Sequence, residues 1–256
     1  MKANLKIAPA SFPITLDEAK KQCEIDDYDT RHDGFIKALL RAETARAEQY
    51  LHRRLISQTW NYWIDCWPWS NAFEIPFGGL QSVTSIKYKD TDGAETTMDT
   101  DDYIVDTDTE PGRIVLAYNK SWPTDTLYPS NPIKVEFTCG YFIGSTWAAN
   151  TAYMAGTNVV PAVENGLVYQ SAGGTSDSTT PTWLLEIGET VVDNNITWTC
   201  IGIAVPDPIR HAIKIGISDL FENREDNVFM ANHFNLKTWE NLLFPYKLFG
   251  GIVESG

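Results

Sequence analysis

The side chains that most often carry enzyme chemistry stand outside any catalytic motif in this sequence. The four histidines are isolated: His32, His52, His211 and His233. They form no H-E-x-x-H spacing, which would place two imidazoles on one helix face for zinc, and no serine or cysteine motif gives them the role of a base. A glycine-rich phosphate loop and a G-x-S-x-G turn are also missing from the sequence. We therefore expect a protein that is not an enzyme and uses no cofactor.

The cysteines and acidic turns predict no metal site. The four cysteines form no C-x-x-C pair, and they are Cys23, Cys66, Cys139 and Cys200. Reduced, buried thiols are therefore expected rather than a zinc site or a disulfide framework. The segment Asp90-Thr91-Asp92-Gly93 has the alternating acids of a calcium loop, but Tyr88 would occupy its first ligand position. A hairpin turn is the prediction there.

Charge and hydropathy exclude two further classes of protein. The chain of 256 residues has 20 Lys and Arg against 34 Asp and Glu, a net charge of −14, so it should repel nucleic acid and anionic lipid. The N-terminus has no apolar run typical of a secretion signal. The charge-free stretch 137–163 is broken by glycines and a proline, so no membrane span is predicted. A cytoplasmic site of synthesis and assembly is expected.

Two helices are predicted near the N-terminus. Thr15 and Glu18 fit a capping box, which predicts a short helix over 16–23. Apolar residues at steps of three and four then predict a long helix over 30–54. The other face of this helix is basic, and its cations are Arg31, Lys37, Arg41, Arg46, Arg53 and Arg54. This face is either solvated or docks on an acidic neighbour.

The period changes from helix-like to strand-like at residue 59. Short alternating bursts predict antiparallel strands, and these lie at 59–67, 72–77, 83–89, 96–98, 103–106, 113–116 and 133–141. Asp92-Gly93 and Glu110-Pro111-Gly112 predict tight reversals, in which glycine accepts the positive φ of the turn. A helical period returns after Pro206, with Asp207 as its predicted cap, and continues to residue 225.

A change of composition sets one segment apart. Residues 145–202 contain no Lys or Arg and read as a small all-β module inserted into the rest of the chain. The fold class predicted is therefore α+β, a small helical bundle packed with an antiparallel sheet, plus this insert. The predicted boundaries are 1–144 with 203–225 for the core, 145–202 for the module and 226–256 for a C-terminal arm. An arm so rich in aromatic residues must be buried against its own core or a partner.

The order of elements and several short segments together resemble the head-tail connector, or adaptor, proteins of long-tailed bacteriophages. The segments that carry this resemblance are Pro13-Ile14-Thr15-Leu16-Asp17-Glu18-Ala19-Lys20, Ala42-Glu43-Thr44-Ala45-Arg46-Ala47-Glu48-Gln49-Tyr50-Leu51, Ser57-Gln58-Thr59-Trp60, Pro76-Phe77-Gly78-Gly79-Leu80-Gln81-Ser82-Val83, Tyr103-Ile104-Val105-Asp106, Glu110-Pro111-Gly112-Arg113-Ile114, Ser121-Trp122-Pro123, Val135-Glu136-Phe137-Thr138-Cys139-Gly140-Tyr141, Val205-Pro206, Glu222-Asn223-Arg224-Glu225 and Leu242-Leu243-Phe244-Pro245-Tyr246-Lys247. They cover nearly all of the chain outside the predicted module.

The resemblance implies a structural virion protein. Such adaptors form a ring of about twelve copies beneath the portal, in the neck of the virion. The ring joins the portal to the stopper or tail-completion protein and surrounds the path of the DNA. A negative ring gives the passing DNA no adhesive wall, and no sequence-specific contact is expected. The partners implied are further copies of the chain, the portal and the stopper.

Two sets of residues are expected to carry this role. The predicted portal-docking residues belong to the arm, and they are Phe234, Trp239, Leu242, Leu243, Phe244, Tyr246 and Phe249. Aromatic anchors of this kind fill grooves on a partner. The predicted ring interface is the basic helix face, with Arg31, Lys37, Arg41, Arg46 and Arg53 against an acidic flank of the next subunit.

The predicted module resembles small carbohydrate-binding modules of the chitin-binding kind. Its large aromatic residues carry this resemblance: Trp147, Tyr153, Tyr169, Trp183 and Trp198. If they stack on sugar rings, the chain has an alternative function, that of a host-surface carbohydrate-binding phage protein. A further possibility is that the module contacts a neighbouring protein. The same aromatics would otherwise form the core of a domain too small to bury much else.

Overall fold

A computed structural model describes residues 3–9, 12–26, 28–141, 145–162, 167–202, 205–223 and 237–249. The chain divides into two compact units, each built from separate stretches of sequence. The described parts of Met1–Pro9, Leu51–Tyr141 and Lys247–Gly256 form the first unit, and those of Ala10–Tyr50 and Phe142–Tyr246 form the second. Helices and mainly antiparallel sheets are both present, which confirms the α+β class. The finer domain boundaries stay a prediction.

The first unit contains eight strands in two antiparallel sheets. They are β1 (Ala3–Ile7), β2 (Gln58–Ile64), β3 (Ala72–Glu74), β4 (Leu80–Lys89), β5 (Glu95–Thr97), β6 (Tyr103–Asp106), β7 (Arg113–Leu116) and β8 (Ile133–Cys139). The larger sheet has the order β1-β2-β8-β4-β5, and the smaller has the order β3-β7-β6. The predicted β6 and β7 are confirmed to the residue, and the other predicted strands differ at their ends. Strand β1, an edge strand paired with β2, was not predicted from the sequence.

Alternation in the central strands places the core of the first unit. Every second residue of β8 is buried, from Ile133 to Cys139. Around them pack buried side chains from the other strands and their connections: Ile75, Phe77, Leu80, Ile86, Met98, Tyr103 and Ile114.

The glycines of the two predicted reversals have different roles. Gly93 has a φ of +82° between β4 and β5, as the sequence predicted. Gly112 does not have a positive φ, so the reason given for it was wrong. Its Cα instead lies so close to Leu80 that a Cβ would collide with the leucine side chain.

The second unit contains four helices. They are α1 (Leu16–Gln22), α2 (Asp33–Leu51), α3 (Asp207–Glu222) and α4 (Lys237–Leu243), followed by a 3₁₀ turn at Phe244–Tyr246. The capping box of α1 is confirmed, because Thr15 N–H donates to Glu18 Oε2 at 2.9 Å and Glu18 N–H donates to Thr15 Oγ1 at 3.1 Å. The prediction that Asp207 caps α3 was wrong, because Pro206 is the cap residue and Asp207 is the first residue of the helix. Arg210 Nη1 donates to Asp207 Oδ1 at 2.9 Å.

The helices pack through the faces that the sequence made apolar. Ile36, Leu40 and Ala47 of α2 are buried, and so are five residues of α3: Ile209, Ala212, Ile213, Gly216 and Ile217. The helix α1 packs on α3, where Arg210 Nη2 of α3 binds Glu18 Oε1 at 2.5 Å. No helix within the described ranges is both long and apolar enough to cross a bilayer.

Residues 145–202 contribute seven short strands to the second unit. They are β9 (Ser145–Thr146), β10 (Ala152–Tyr153), β11 (Asn158–Val160), β12 (Val168–Ser171), β13 (Gly174–Thr175), β14 (Thr190–Asp193) and β15 (Ile196–Gly202). Five form a sheet of order β14-β15-β12-β11-β9, and β10 pairs with β13. Strands β14 and β15 form a hairpin, and Asn194 in its turn has a φ of +57°.

Candidate docking and assembly surfaces

The described residues 237–249, called here the C-terminal segment, begin with helix α4, which packs on other parts of the same chain. Trp239 and Leu243 of α4 are buried, and α4 packs on α3. Tyr50 meets the Trp239 indole edge-on, with ring centroids 5.3 Å apart. Two of the predicted portal-docking residues are therefore core residues of the second unit.

The residues after α4 are more accessible. Phe244 is 55% exposed and Phe249 is 72% exposed, while Leu242 and Tyr246 are half-buried. Leu248 N–H donates to Leu51 C=O at 3.0 Å within the first unit. Phe234 lies outside the described residues. The accessible apolar surface of this segment is thus carried mainly by Phe244 and Phe249.

The cations predicted for the ring interface have different surroundings. Lys37 and Arg41 are exposed on α2 and form no ion pair with any residue that the structure describes. Arg31 is bidentate to Asp29, at 3.0 and 2.7 Å, and these hydrogen bonds hold the pKa of Asp29 well below its usual range. Of the five cations predicted for the interface, Lys37 and Arg41 are therefore the two that have no ion-pair partner among the described residues.

Arg46 and Arg53 are used within the chain. Arg46 Nη1 lies 3.3 Å from Glu43 Oε1, and its guanidinium lies over the Trp239 ring. Arg53 Nη2 binds Glu110 Oε2 at 2.7 Å, and its Nη1 donates to the Tyr141 hydroxyl at 3.3 Å. Arg53 also lies 5.4 Å from the centroid of the Tyr141 ring. Its side chain supports the first unit.

Glu43 is a buried carboxylate of α2, and it was not among the site residues predicted from the sequence. Burial raises the pKa of Glu43, the nearby Arg46 lowers it in part, and the charge of Asp219 adds to the rise. Gly216 of α3 approaches Glu43 so closely that a Cβ there would collide with the carboxylate. Helices α2 and α3 thus meet at a glycine that makes room for a buried acid.

The aromatics of residues 145–202 form a core around one carboxylate. Trp147 Nε1 and Trp198 Nε1 each donate to Asp193 Oδ2 at 2.9 Å, and Asp177 N–H donates to Oδ1 at 2.8 Å. Asp193 is itself buried. Each buried polar group in this network therefore has a partner, as a low-dielectric core requires.

The remaining aromatics pack around the same core. Tyr169 is fully buried and donates its hydroxyl to Leu184 C=O at 2.6 Å. Half-buried Tyr153 and Trp183 each meet the Trp198 ring edge-on, at 5.0 and 5.9 Å between centroids. Trp147, Tyr169 and Trp198 present no ring face to solvent in this conformation, which agrees with the core interpretation that the sequence left open.

One exposed feature was not found from the sequence. Trp69 is 99% exposed and Tyr118 is 94% exposed, both in the first unit. A Trp-Pro-Trp segment and the Tyr118-Asn119 turn were the available signals, but large aromatics are buried more often than not, so exposure is not readable from residue type. Within the described ranges, no cluster of His, Cys, Asp and Glu is arranged to hold a metal ion.

The whole chain is similar in fold to chains of known structure. Three solved structures contain a chain with a TM-score of 0.59 to 0.60 to this one, at 16% identity, and each match covers 98% of this chain and 99% or more of the other. The fold is that of a chain in gene transfer agent particles. The structures are the neck of an empty particle computed with C6 symmetry, the virion of a native particle and the neck of a native particle computed with C12 symmetry.

A family model matches part of the sequence. Residues 13–111 match the model of the phage gp6-like head-tail connector protein family. The matched region runs from the capping box of α1 to the turn before β7. No curated protein matches the chain in sequence.

Proposed function

We propose that this chain is a head-tail connector subunit of a virion neck. The observation that carries the proposal is the match of the fold, over 98% of the chain, to a chain in a particle neck. The head-tail connector family model supports it over residues 13–111. The function is structural, and the chain acts without catalysis or cofactor.

The subunits assemble as a ring between the portal and the stopper or tail-completion protein, around the path of the DNA. The C12 symmetry used for the neck of the native gene transfer agent particle supports a ring of twelve. A net charge of −14 suits a wall past which DNA must move, since nonspecific DNA binding depends on cations that neutralise phosphates.

The portal contact is made by the C-terminal segment. Buried Trp239 and Leu243 fix the start of this segment, and the exposed Phe244 and Phe249 follow it. Partly exposed aromatics next to a fixed helix can enter apolar pockets on a partner at low entropic cost. Tyr246 and Leu242 are half-buried and form the edge of this contact.

Native mass spectrometry of the full chain, alone and with its cognate portal, tests the proposal. We expect rings of the chain, or a portal complex that carries about twelve copies, as for other closed cyclic assemblies. A chain that stays monomeric both alone and with the portal would contradict the proposed function.

A paired variant tests the docking segment separately. Phe244→Asp with Phe249→Asp is expected to abolish the portal complex and to leave the ring and the fold unchanged. The matched control is Met154→Asp, because Met154 is an apolar side chain that is 83% exposed elsewhere in the chain. Portal binding that survives the double substitution would remove these two residues from the contact.

Carbohydrate binding through residues 145–202 is the weaker candidate. Its premise was a set of aromatic faces open to solvent, whereas Trp147, Tyr169 and Trp198 are buried around Asp193. Glycan arrays with the full chain provide the direct check. The connector role is therefore the better supported of the two functions.

A further inference from the structure

Two nearly fully exposed aromatic residues lie at the same end of the sheet formed by β3, β7 and β6. The backbone C=O of Asn71 accepts a hydrogen bond from Leu116 N–H at 2.8 Å, and Trp69 and Tyr118 lie two residues from these groups. They are 99% and 94% exposed. We call this pair of residues the aromatic tip. Two such rings expose on the order of 300 Å² of mostly apolar surface to water. Exposed apolar patches of this size often mark a site that binds another protein.

The backbone beneath the aromatic tip is held in place by other aromatics. Trp67 stacks on Trp122 with ring centroids 5.1 Å apart and an angle of 8° between the planes. Trp122 Nε1 donates to Ser70 C=O at 2.8 Å, directly beside Trp69. Phe73 of β3 packs on the same Trp122 ring at 5.6 Å. The aromatic tip therefore has a fixed base, which lowers the entropy lost when it binds a partner.

The surface beside the aromatic tip is acidic. A 3₁₀ turn at Thr100–Asp102 lies next to Tyr118, because Ala117 N–H donates to Asp102 C=O at 3.0 Å. This turn and its cap supply the carboxylates of Asp99, Asp101 and Asp102, and Lys120 binds Asp102 at 2.5 Å. Three carboxylates and one ammonium group thus leave a net negative rim next to Tyr118.

The exposed face of α2 has the complementary character. Lys37 and Arg41 are exposed one turn apart, and neither forms an ion pair with the described residues. Ala38 and Ala42 beside them are also exposed and small, so large side chains of a partner can reach the helix between the two cations. Cations bind both carboxylates and the faces of Trp and Tyr rings.

We infer that the aromatic tip of one copy docks on the Lys37 and Arg41 face of α2 in a second copy. This inference rests on the proposed function, and it names the two surfaces that join neighbours in the ring. Each copy has one tip and one α2 face, so the contact is head-to-tail, which is the type that closes into a cyclic ring. The cations meet the acidic rim and the two rings, and the contact removes the exposed aromatics from water.

Two defective variants and their mixture test the inference. Trp69→Ala with Tyr118→Ala removes the tip, and Lys37→Glu with Arg41→Glu reverses the charge of the α2 face. Each is expected to raise the dissociation constant of the ring contact by at least about tenfold, the usual loss for a truncated anchor. Matched controls are Tyr28→Ala, since Tyr28 is 97% exposed, and Lys21→Glu on the exposed side of α1.

The mixture distinguishes this contact from a general loss of assembly. An intact tip on the charge-reversed chain can still dock on the intact α2 face of the tip-less chain, but neither chain can bind another copy through its defective surface. Native mass spectrometry of the mixture should therefore show a 1:1 dimer and no larger species, while each variant alone is monomeric.

The outcomes separate this inference from the proposed function. Rings that form normally from either variant would overturn the inference and leave the connector role intact, as would a mixture that contains only monomers. A wild-type chain that remains monomeric alone and with the portal would overturn both. Circular dichroism of each variant confirms that a lost ring is not a lost fold.

Discussion

The guanidinium of Arg46 lies over the indole of Trp239, with its central carbon 4.3 Å from the ring centroid. From the sequence, Arg46 was predicted to face a neighbouring subunit and Trp239 to dock on a portal. The structure brings them together inside the second unit, where they join α2 to α4. The C-terminal segment is thus tied to the long helix before it meets any partner.

Trp239→Ala should release α4 from this site. Removal of a buried indole costs about 3–5 kcal/mol of unfolding free energy in typical cores, and Trp239 is 2% exposed. Urea denaturation gives the stability, and limited proteolysis at residues 237–249 reports on α4 itself. Glu240→Ala on the exposed side of the same helix is the control and should change neither.

Gly216→Ala should destabilise the second unit although alanine is the better helix former. The new Cβ would collide with the Glu43 carboxylate, and such overpacking costs about 1–3 kcal/mol. Gly34→Ala near the start of α2 is the matched control, because nothing lies within 4 Å of its added Cβ, and it should gain up to about 1 kcal/mol. Thermal unfolding measures the stability of both variants. An equal gain in stability for Gly216→Ala and Gly34→Ala would contradict the predicted collision with Glu43.

Glu43 should make stability fall as the pH rises. Burial raises its pKa above the usual value of 4.5, so the folded chain binds more protons than the unfolded chain between the two values. The stabilisation that Glu43 contributes to the folded chain is complete below pH 4.5 and is lost as the pH rises through the raised pKa of Glu43. Glu43→Gln should flatten the dependence of Tm on pH in that window. A wild-type Tm that does not fall there would argue against a buried, neutral acid.

Asp193→Asn should disrupt the core of residues 145–202. One Asp193 oxygen accepts from two indoles and the other from a backbone N–H, so an amide would set an NH₂ group against at least one donor. An unsatisfied buried donor costs about 1–3 kcal/mol. Denaturation followed by tryptophan fluorescence measures the loss. Asp177→Asn is the control, since within the described ranges the exposed Asp177 side chain accepts hydrogen bonds from its neighbour Ser178 alone.

Arg53 and Arg41 should behave differently although both were predicted for the ring interface. Arg53→Gln breaks the contacts with Glu110 and Tyr141, and the loss of this partly exposed pair should lower the stability of the folded chain by about 1 kcal/mol. Arg41→Gln should leave the Tm unchanged and weaken assembly instead. Differential scanning calorimetry measures the effect of each variant on stability, and native mass spectrometry measures its effect on assembly. If Arg53→Gln weakened assembly and Arg41→Gln lowered the Tm, the roles assigned to the two arginines would be reversed.

Local rules were enough for much of the fold. The capping box at Thr15 and Glu18 and the alternation in β6 and β7 depend on neighbours in sequence, so they were predicted to the residue. The cap at Asp207 was wrong because a single residue type does not fix where a helix begins. The edge strand β1 was missed because its pairing with β2 joins residues far apart in the chain.

Local patterns were sufficient to predict the α+β class, the apolar and basic faces of α2 and the aromatic character of residues 145–202. Periodicity shows which side chains share a face, but it does not show what covers that face. The folded structure was needed to show that Trp239 is buried while Phe249 is exposed. It also shows that Glu43 packs against a glycine and that Trp147 and Trp198 share one carboxylate. Each of these depends on a contact between distant segments, and burial is a property of such contacts rather than of the residue type.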